Sequence, residues 1–244
     1  MSLEQSLSQL KETEGGGAFS LQNSKMLKVE LSGATVQAKL GSMVAHQGDV
    51  KFEHAGSGGV AKFMKKAVTG EGQDLMKISG TGEVFLADLA QDIQLFRLEG
   101  ESITANGANV LAFEDGIDWD IKRVEGVSGM LGGGLYNMHL SGTGFVAILS
   151  DGPPVLLEVE GETTYADPQA AITWSSGLTS AVKADVNMKT LIGRGSGETV
   201  QLSFSGAGWL LIQPSEGRVA GAAAGGGGSS GGGGMGKLGD LLGG

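Results

Sequence analysis

The stretch Ile78-Ser-Gly-Thr-Gly-Glu-Val-Phe-Leu86 returns as Leu140-Ser-Gly-Thr-Gly-Phe-Val-Ala-Ile148 and again as Phe204-Ser-Gly-Ala-Gly-Trp-Leu-Leu-Ile212. Its serines, Ser79, Ser141 and Ser205, stand 62 and 64 residues apart. A motif that recurs at a near-constant period marks an internally repeated architecture. Before each serine the residues alternate, as in Met76-Lys-Ile78, Tyr136-Asn-Met-His-Leu140 and Val200-Gln-Leu-Ser-Phe204. Period-two alternation is the mark of a half-buried β-strand. After the second glycine the run is continuously apolar (Val84–Leu86, Phe145–Leu149, Trp209–Ile212), as in a strand buried on both faces. The Gly-x-Gly between the two runs (Gly80 and Gly82, Gly142 and Gly144, Gly206 and Gly208) lets the strand bulge or bend there. Each unit therefore holds a bent strand that turns from a sheet surface into a core.

A second signature precedes each serine: Leu40-Gly-Ser-Met-Val-Ala45, Asn106-Gly-Ala-Asn-Val-Leu111 and Ser176-Gly-Leu-Thr-Ser-Ala181, with turn glycines Gly41, Gly107 and Gly177. The expected fold is all-β, with three tandem jelly-roll-like repeats in one compact body. Their approximate bounds are 26–100, 101–160 and 161–215 within a β domain of residues 26–215. Residues 1–25 form an N-terminal arm in which Leu3, Leu7 and Leu10 keep helical spacing. Residues 216–244 form a Gly-rich tail of the composition that stays flexible. Glu114-Asp-Gly116, Asp151-Gly-Pro-Pro154 and Asp167-Pro168 read as turns, and Ile117–Val124 as a strand.

Composition removes several function classes. The chain has no cysteine, so disulfides and thiolate metal sites are excluded. A net charge of −10 argues against general nucleic-acid binding, which requires a basic footprint. No secretory signal pattern and no run of about 18 apolar residues is present. A cytoplasmic location is expected, with a peripheral membrane role as an alternative.

The motifs with chemical potential are weak. Gly231-x4-Gly236-Lys237 lacks the Ser or Thr of a phosphate-binding loop, Leu238 standing in its place. The Gly-x-Ser-x-Gly at 227–231 lies in the same low-complexity tract. His46 and His54, on adjacent strands beside Asp49 or Glu53, would suit a metal, although solvent-facing histidines are the commoner case. His139 falls on the polar phase of its strand and is expected to face solvent. Asp118 with Asp120, and Glu158 with Glu160, share a strand face, as a hydrolase pair or simply as a solvated edge. No nucleophile–base–orienter set can be assembled, so no catalytic, cofactor or metal residue is assigned and the chain is read as not an enzyme. The most distinctive local segment is Val60-Ala-Lys-Phe-Met-Lys-Lys66. Its Val60, Lys62, Phe63, Met64, Lys65 and Lys66 suit an anionic membrane surface or a partner protein, or else a loop that covers the sheet.

Gly41-Ser-Met-Val-Ala45, Gly48-Asp-Val-Lys-Phe52, Lys65-Lys-Ala-Val-Thr-Gly-Glu-Gly72, Ser79–Asp88 and Asn106–Phe113 together resemble a known family. It is the bacterial branch of the mitochondrial biogenesis family called altered inheritance of mitochondria, member twenty-four. The resemblance runs from about Met26 to Pro214. It implies three units similar to the small β unit of the tryptophan RNA-binding attenuation protein, and a non-enzymatic protein linked in eukaryotes to organisation of the mitochondrial inner membrane. It supplies no catalytic residues, and RNA binding does not follow, because basic and stacking residues do not recur across the units. Exposed sheet edges imply self-association, with a homotrimer as one form. The expected function is a structural or scaffolding interaction protein. The alternatives are a peripheral membrane factor using Val60–Lys66 and a ligand-binding jelly roll or an enzyme on that scaffold.

Overall fold

A computed structural model of the chain describes residues 3–8, 10–13, 17–54, 75–126, 136–184 and 200–215. Among them are one short α-helix, α1 (Leu3–Ser8), one 3-10 turn (Gly107–Asn109) and fourteen strands joined into one sheet. No helix among the described residues is long and apolar enough to cross a membrane. The fold is all-β, as the alternation predicts.

The sheet is built around three long strands that contain the recurrent motif: β4 (Leu75–Leu86), β9 (Tyr136–Ser150) and β14 (Val200–Ile212). The same pairing scheme surrounds each. On one side β4 takes β2 (Met26–Lys39), β9 takes β5 (Asp92–Ala105), and β14 takes β10 (Val155–Glu160) with β11 (Thr164–Ala166). On the other side β4 takes β3 (Met43–His54), β9 takes β6 (Val110–Glu114) with β7 (Ile117–Arg123), and β14 takes β12 (Ala171–Ser175) with β13 (Leu178–Ala184). All of these pairs are antiparallel. A parallel pair is made by β8 (Glu125–Gly126) on β13.

The glycines of the motif explain why each long strand bends where it does. Gly142 lies at φ +128° and Gly206 at φ +119°, which L side chains rarely adopt. A Cβ on either would meet the carbonyl oxygen of Gly116 or Gly177, respectively, in the turn that leads into the facing strand. Gly80, Gly82 and Gly144 share the positive φ, and the Ser175 Oγ occupies the place of a Cβ on Gly208. The bend also has its own hydrogen bond. The Phe145 N–H donates to the Glu114 carboxylate (2.7 Å), and at the matching place the Trp209 N–H donates to the Ser175 hydroxyl (3.1 Å). Each supplies an acceptor to an amide that faces the gap between β6 and β7 or between β12 and β13, where the ladder is interrupted.

Two antiparallel junctions, beside the short parallel β8–β13 pair, tie the three groups into one sheet. Strand β2 pairs with β6 (Val36↔Glu114, Gln37↔Phe113, Ala38↔Ala112), and β5 pairs with β12 (Ile103↔Ser175, Thr104↔Trp174, Ala105↔Thr173). The core forms three clusters, one centred on each group and sharing side chains with its neighbours. Leu27, Val29, Ile78, Val84 and Leu86 gather around the first group, Leu140, Val146 and Ile148 around the second, and Val159, Trp174, Phe204 and Leu210 around the third.

The structure moves several expected boundaries. The β domain starts before Met26: β1 (Phe19–Asn23) pairs with β2, and Phe19 is buried and stacked on Phe145, so this part of the expected arm is core. The expected break at 100/101 falls inside β5, because β5 pairs with β9 of the second group. The break at 160/161 likewise separates β10 from β11, although both pair with β14. Gly177 is the equivalent of Gly116 rather than of Gly41 and Gly107. It faces the bend of β14 as Gly116 faces the bend of β9, so the counterpart of Gly41 and Gly107 lies in the Asp167–Ala170 turn before β12.

Candidate interaction edges of the sheet

The residues singled out for chemistry are dispersed by the fold. His46 and His54 lie on one strand, β3, rather than on adjacent strands, and the His46 ring meets Phe52 edge-on at 5.3 Å. Among the described residues no group of three or more His, Asp or Glu is placed to hold a metal ion. Asp118, Glu158 and Glu160 are exposed, and Asp120 is half-buried with its carboxylate accepting from the Ile121 N–H. His139 departs from expectation. It is half-buried between β5 and β7, opposite Asp120, with Nδ1 3.3 Å from the Thr104 hydroxyl. Burial, and then the Lys122 charge, hold its pKa below the ordinary 6.5, against the opposing pull of Asp120. Val60, Lys62, Phe63, Met64, Lys65 and Lys66 lie outside the described residues.

What the fold does assemble is a pair of sheet ends. At one end is the first half of β3, Met43–Gln47, paired with β4 on one side only; at the other are β10 and β11, paired on one side with β14. No strand among the described residues pairs with their outer sides. These edges carry apolar side chains into solvent: Val44 is 56% exposed and Met43 39%, while Val155, Leu156 and Tyr165 are also exposed. The Lys183 ammonium, on β13 across β14 from β11, lies 4.5 Å from the Tyr165 ring centroid, a cation–π contact that spans β14. Open edges with unpaired N–H and C=O groups are templates for another strand.

The internal junctions show how such edges look when covered. Against the central strands, Met43, Val110 and Ala171 hold one position (opposite Leu86, Ile148 and Ile212), and each is followed by the same one-residue bulge. The bulged residues are Val44, Leu111 and Ile172. Leu111 is 0% exposed and packs with the apolar residues of the first group; Ile172 is 0% exposed and packs with those of the second. Each therefore projects from its own group into the core of the preceding one. Sequence reasoning missed Val44 and Tyr165. The signal was present in the likeness of Met43-Val-Ala45 to Val110-Leu-Ala112, but their exposure depends on pairing that no local pattern reports.

Two of the remaining shifted groups, Lys28 and Asp92, tie separate parts of the sheet together. Lys28 on β2 is buried and bridges to Glu83 on β4 at 3.1 Å; that hydrogen bond raises its pKa, with burial opposing. Asp92 at the start of β5 bridges to Lys25 at 3.1 Å, and this bond together with Ser24 lowers its pKa.

Comparison with solved structures finds the crystal structure of protein SPYM3_0169 from Streptococcus pyogenes at a TM-score of 0.65 and 24% identity, covering 80% of this chain and 91% of that one. At that identity the likeness concerns the fold. A search of curated proteins returns no significant match. The family model described as mitochondrial biogenesis AIM24 matches residues 19–215, which begins at the first residue of β1 and ends just beyond β14. The chain thus belongs to the mitochondrial biogenesis AIM24 family.

Proposed function

We propose that the chain is a structural, non-enzymatic assembly protein that binds other polypeptides along the open edges of its sheet, working in the cytoplasm. The observation that carries this reading is the pair of one-sided sheet ends, Met43–Gln47 and β10–β11, with Val44, Leu156 and Tyr165 exposed. Burial of apolar area at such an edge is worth about 25 cal/mol per Å², and strand addition supplies main-chain hydrogen bonds along with it. The role of the shifted groups is consistent with this. Lys28 and His139 serve contacts between neighbouring strands and Asp92 ties β5 to the β1–β2 turn, which is structural work.

The test is affinity purification of the tagged full chain from native cells, beside Val44→Asp and Leu156→Lys. The proposal expects a defined set of proteins with the natural sequence and a depleted set with the edge variants. An identical set from all three proteins, or none from any, would overturn it.

A further inference from the structure

The sheet contains three groups and two antiparallel junctions, so one junction of the same kind is left unmade. Both existing junctions obey one rule. The second half of the strand on one side of the central strand (Val36–Ala38 of β2, Ile103–Ala105 of β5) pairs with the bulged strand of the next group (β6, β12). In each the alanine, Ala38 or Ala105, faces the residue just after the bulge, Ala112 or Thr173. The bulged residue, Leu111 or Ile172, then fills the core of the group behind it.

The two open ends hold the unused halves of this junction. Thr164-Tyr-Ala166 of β11 takes the place of Val36-Gln-Ala38 and Ile103-Thr-Ala105, because Phe204 faces Thr164 as Ile78 faces Val36 and Leu140 faces Ile103. An alanine recurs at the third position in all three. Met43–Gln47 of β3 takes the place of β6 and β12, with the same bulge. Within one chain these two edges terminate opposite ends of the sheet, and Val44 and Tyr165 remain 56% and 47% exposed.

We infer that a second copy of this chain completes the junction: β11 of one copy pairs antiparallel with the first half of β3 of the next, in the register Ala166↔Ala45, Tyr165↔His46 and Thr164↔Gln47, and Val44 enters the core of the third group. This rests on the reading of the open edges as interaction surfaces, and names their occupant. The contact is heterologous, so successive copies join head to tail, and closing the chain of copies into a ring uses β11 and the first half of β3 of every copy while β10 stays open. The internal junctions are the template for what covers the edge, and the alanine at position 166 keeps the approach narrow enough for a bulged residue to reach the core behind it.

Light scattering on the full chain at micromolar concentration tests the proposal. The expected mass is a multiple of the 24.8 kDa chain, falling to 24.8 kDa for Val44→Asp with an unchanged far-UV spectrum. A natural chain of 24.8 kDa, or an assembly whose mass Val44→Asp leaves unchanged, overturns it. A second measurement uses the absence of cysteine from the natural chain. Residues directly opposite across an antiparallel pair have Cβ atoms about 4.5–5.5 Å apart, close to disulfide reach. Mild oxidation of an equimolar mixture of A45C and A166C is expected to give a reducible heterodimer of one copy of each. Its absence overturns the register. If edge variants lose captured proteins while the natural chain is monomeric, the second-copy inference fails and the interaction reading stands. If Val44→Asp dissociates an oligomer with no effect on capture, the reverse holds.

Discussion

At the scale of single residues, the fold depends on a few positions where chemistry and backbone leave no choice. Gly206 combines φ +119° with a facing carbonyl of Gly177, so Gly206→Ala adds strain of about 1–3 kcal/mol together with a steric clash. A urea melt is expected to show a loss of at least that size, and a loss under 0.5 kcal/mol would contradict the reading of the bend. Lys28→Ala leaves the Glu83 carboxylate without its partner beneath the β2–β4 pair, which is expected to cost about 1–3 kcal/mol. His139 gives a pH signature. Its folded pKa lies below 6.5, so the unfolded chain binds more protons and the neutral histidine favours the fold. That contribution is fully present above the unfolded value of 6.5 and is lost as pH falls through it toward the lower folded pKa. Chemical denaturation at pH 7.5 and 5.5 is therefore expected to show a smaller acid loss for His139→Gln than for the natural chain. An equal loss in both would place the acid sensitivity elsewhere. The motif glycines were readable in the sequence because their requirement is local. The place of His139 was not, since the polar phase of a strand says nothing about Thr104 and Asp120 arriving from the strands on either side.

At the scale of strands, alternation and turn chemistry located β4, β7, β9 and β14, because a strand with one buried face must alternate and a strand with two must not. Pairing was not legible to the same degree. Phe19 and Leu21 alone signal β1, and what makes Phe19 core is the arrival of β2 and Phe145, the latter more than a hundred residues downstream. The second signature was readable in two groups and shifted in the third. Ser176-Gly177 offers a glycine turn beside β13, whereas the true counterpart of Gly107 is built from Asp167, whose carboxylate accepts from the Gln169 N–H. The bulged strands carry a prediction of their own. Leu111 and Val44 hold the same position in their groups, but only Leu111 enters a core within the chain. Leu111→Ala is expected to lower stability by about 2–5 kcal/mol, the range for a large-to-small change in a packed interior. In the Val44→Asp background, Leu111→Ala keeps this full effect if the core it fills belongs to its own chain. A cost below about 1 kcal/mol in urea unfolding would show that the first core closes without it.

For the whole molecule, the three groups have separate apolar centres and a continuous hydrogen-bonded sheet, and the second of these governs cooperativity. The β2–β6 and β5–β12 junctions do more than abut the groups, since the first core takes Ile93, Leu111, Ala112, Ala147 and Leu149 from the second group and the second core takes Ile172 and Leu211 from the third. Unfolding the second group therefore opens the first, and unfolding the third opens the second. The described β body is expected to unfold in a single transition, with tryptophan fluorescence (Trp119, Trp174 and Trp209) and far-UV circular dichroism giving one midpoint, although Trp119 lies in the second group and Trp174 and Trp209 in the third. Separated midpoints would show that the junctions pair strands without coupling cores. Amide exchange then resolves the gradient within that transition. Strand β9, flanked by β5 on one side and by β6 and β7 on the other, should exchange only through global opening, because no edge of it is free. In a dissociated chain Met43–Gln47 and Thr164–Ala166 should exchange faster than the doubly flanked β9, their outer sides having no partner among the described residues. On assembly through these edges their protection should rise together and to the same degree, since one hydrogen-bonded ladder would hold both. A rise at only one of the two segments would mean that something other than the matching edge has taken its place.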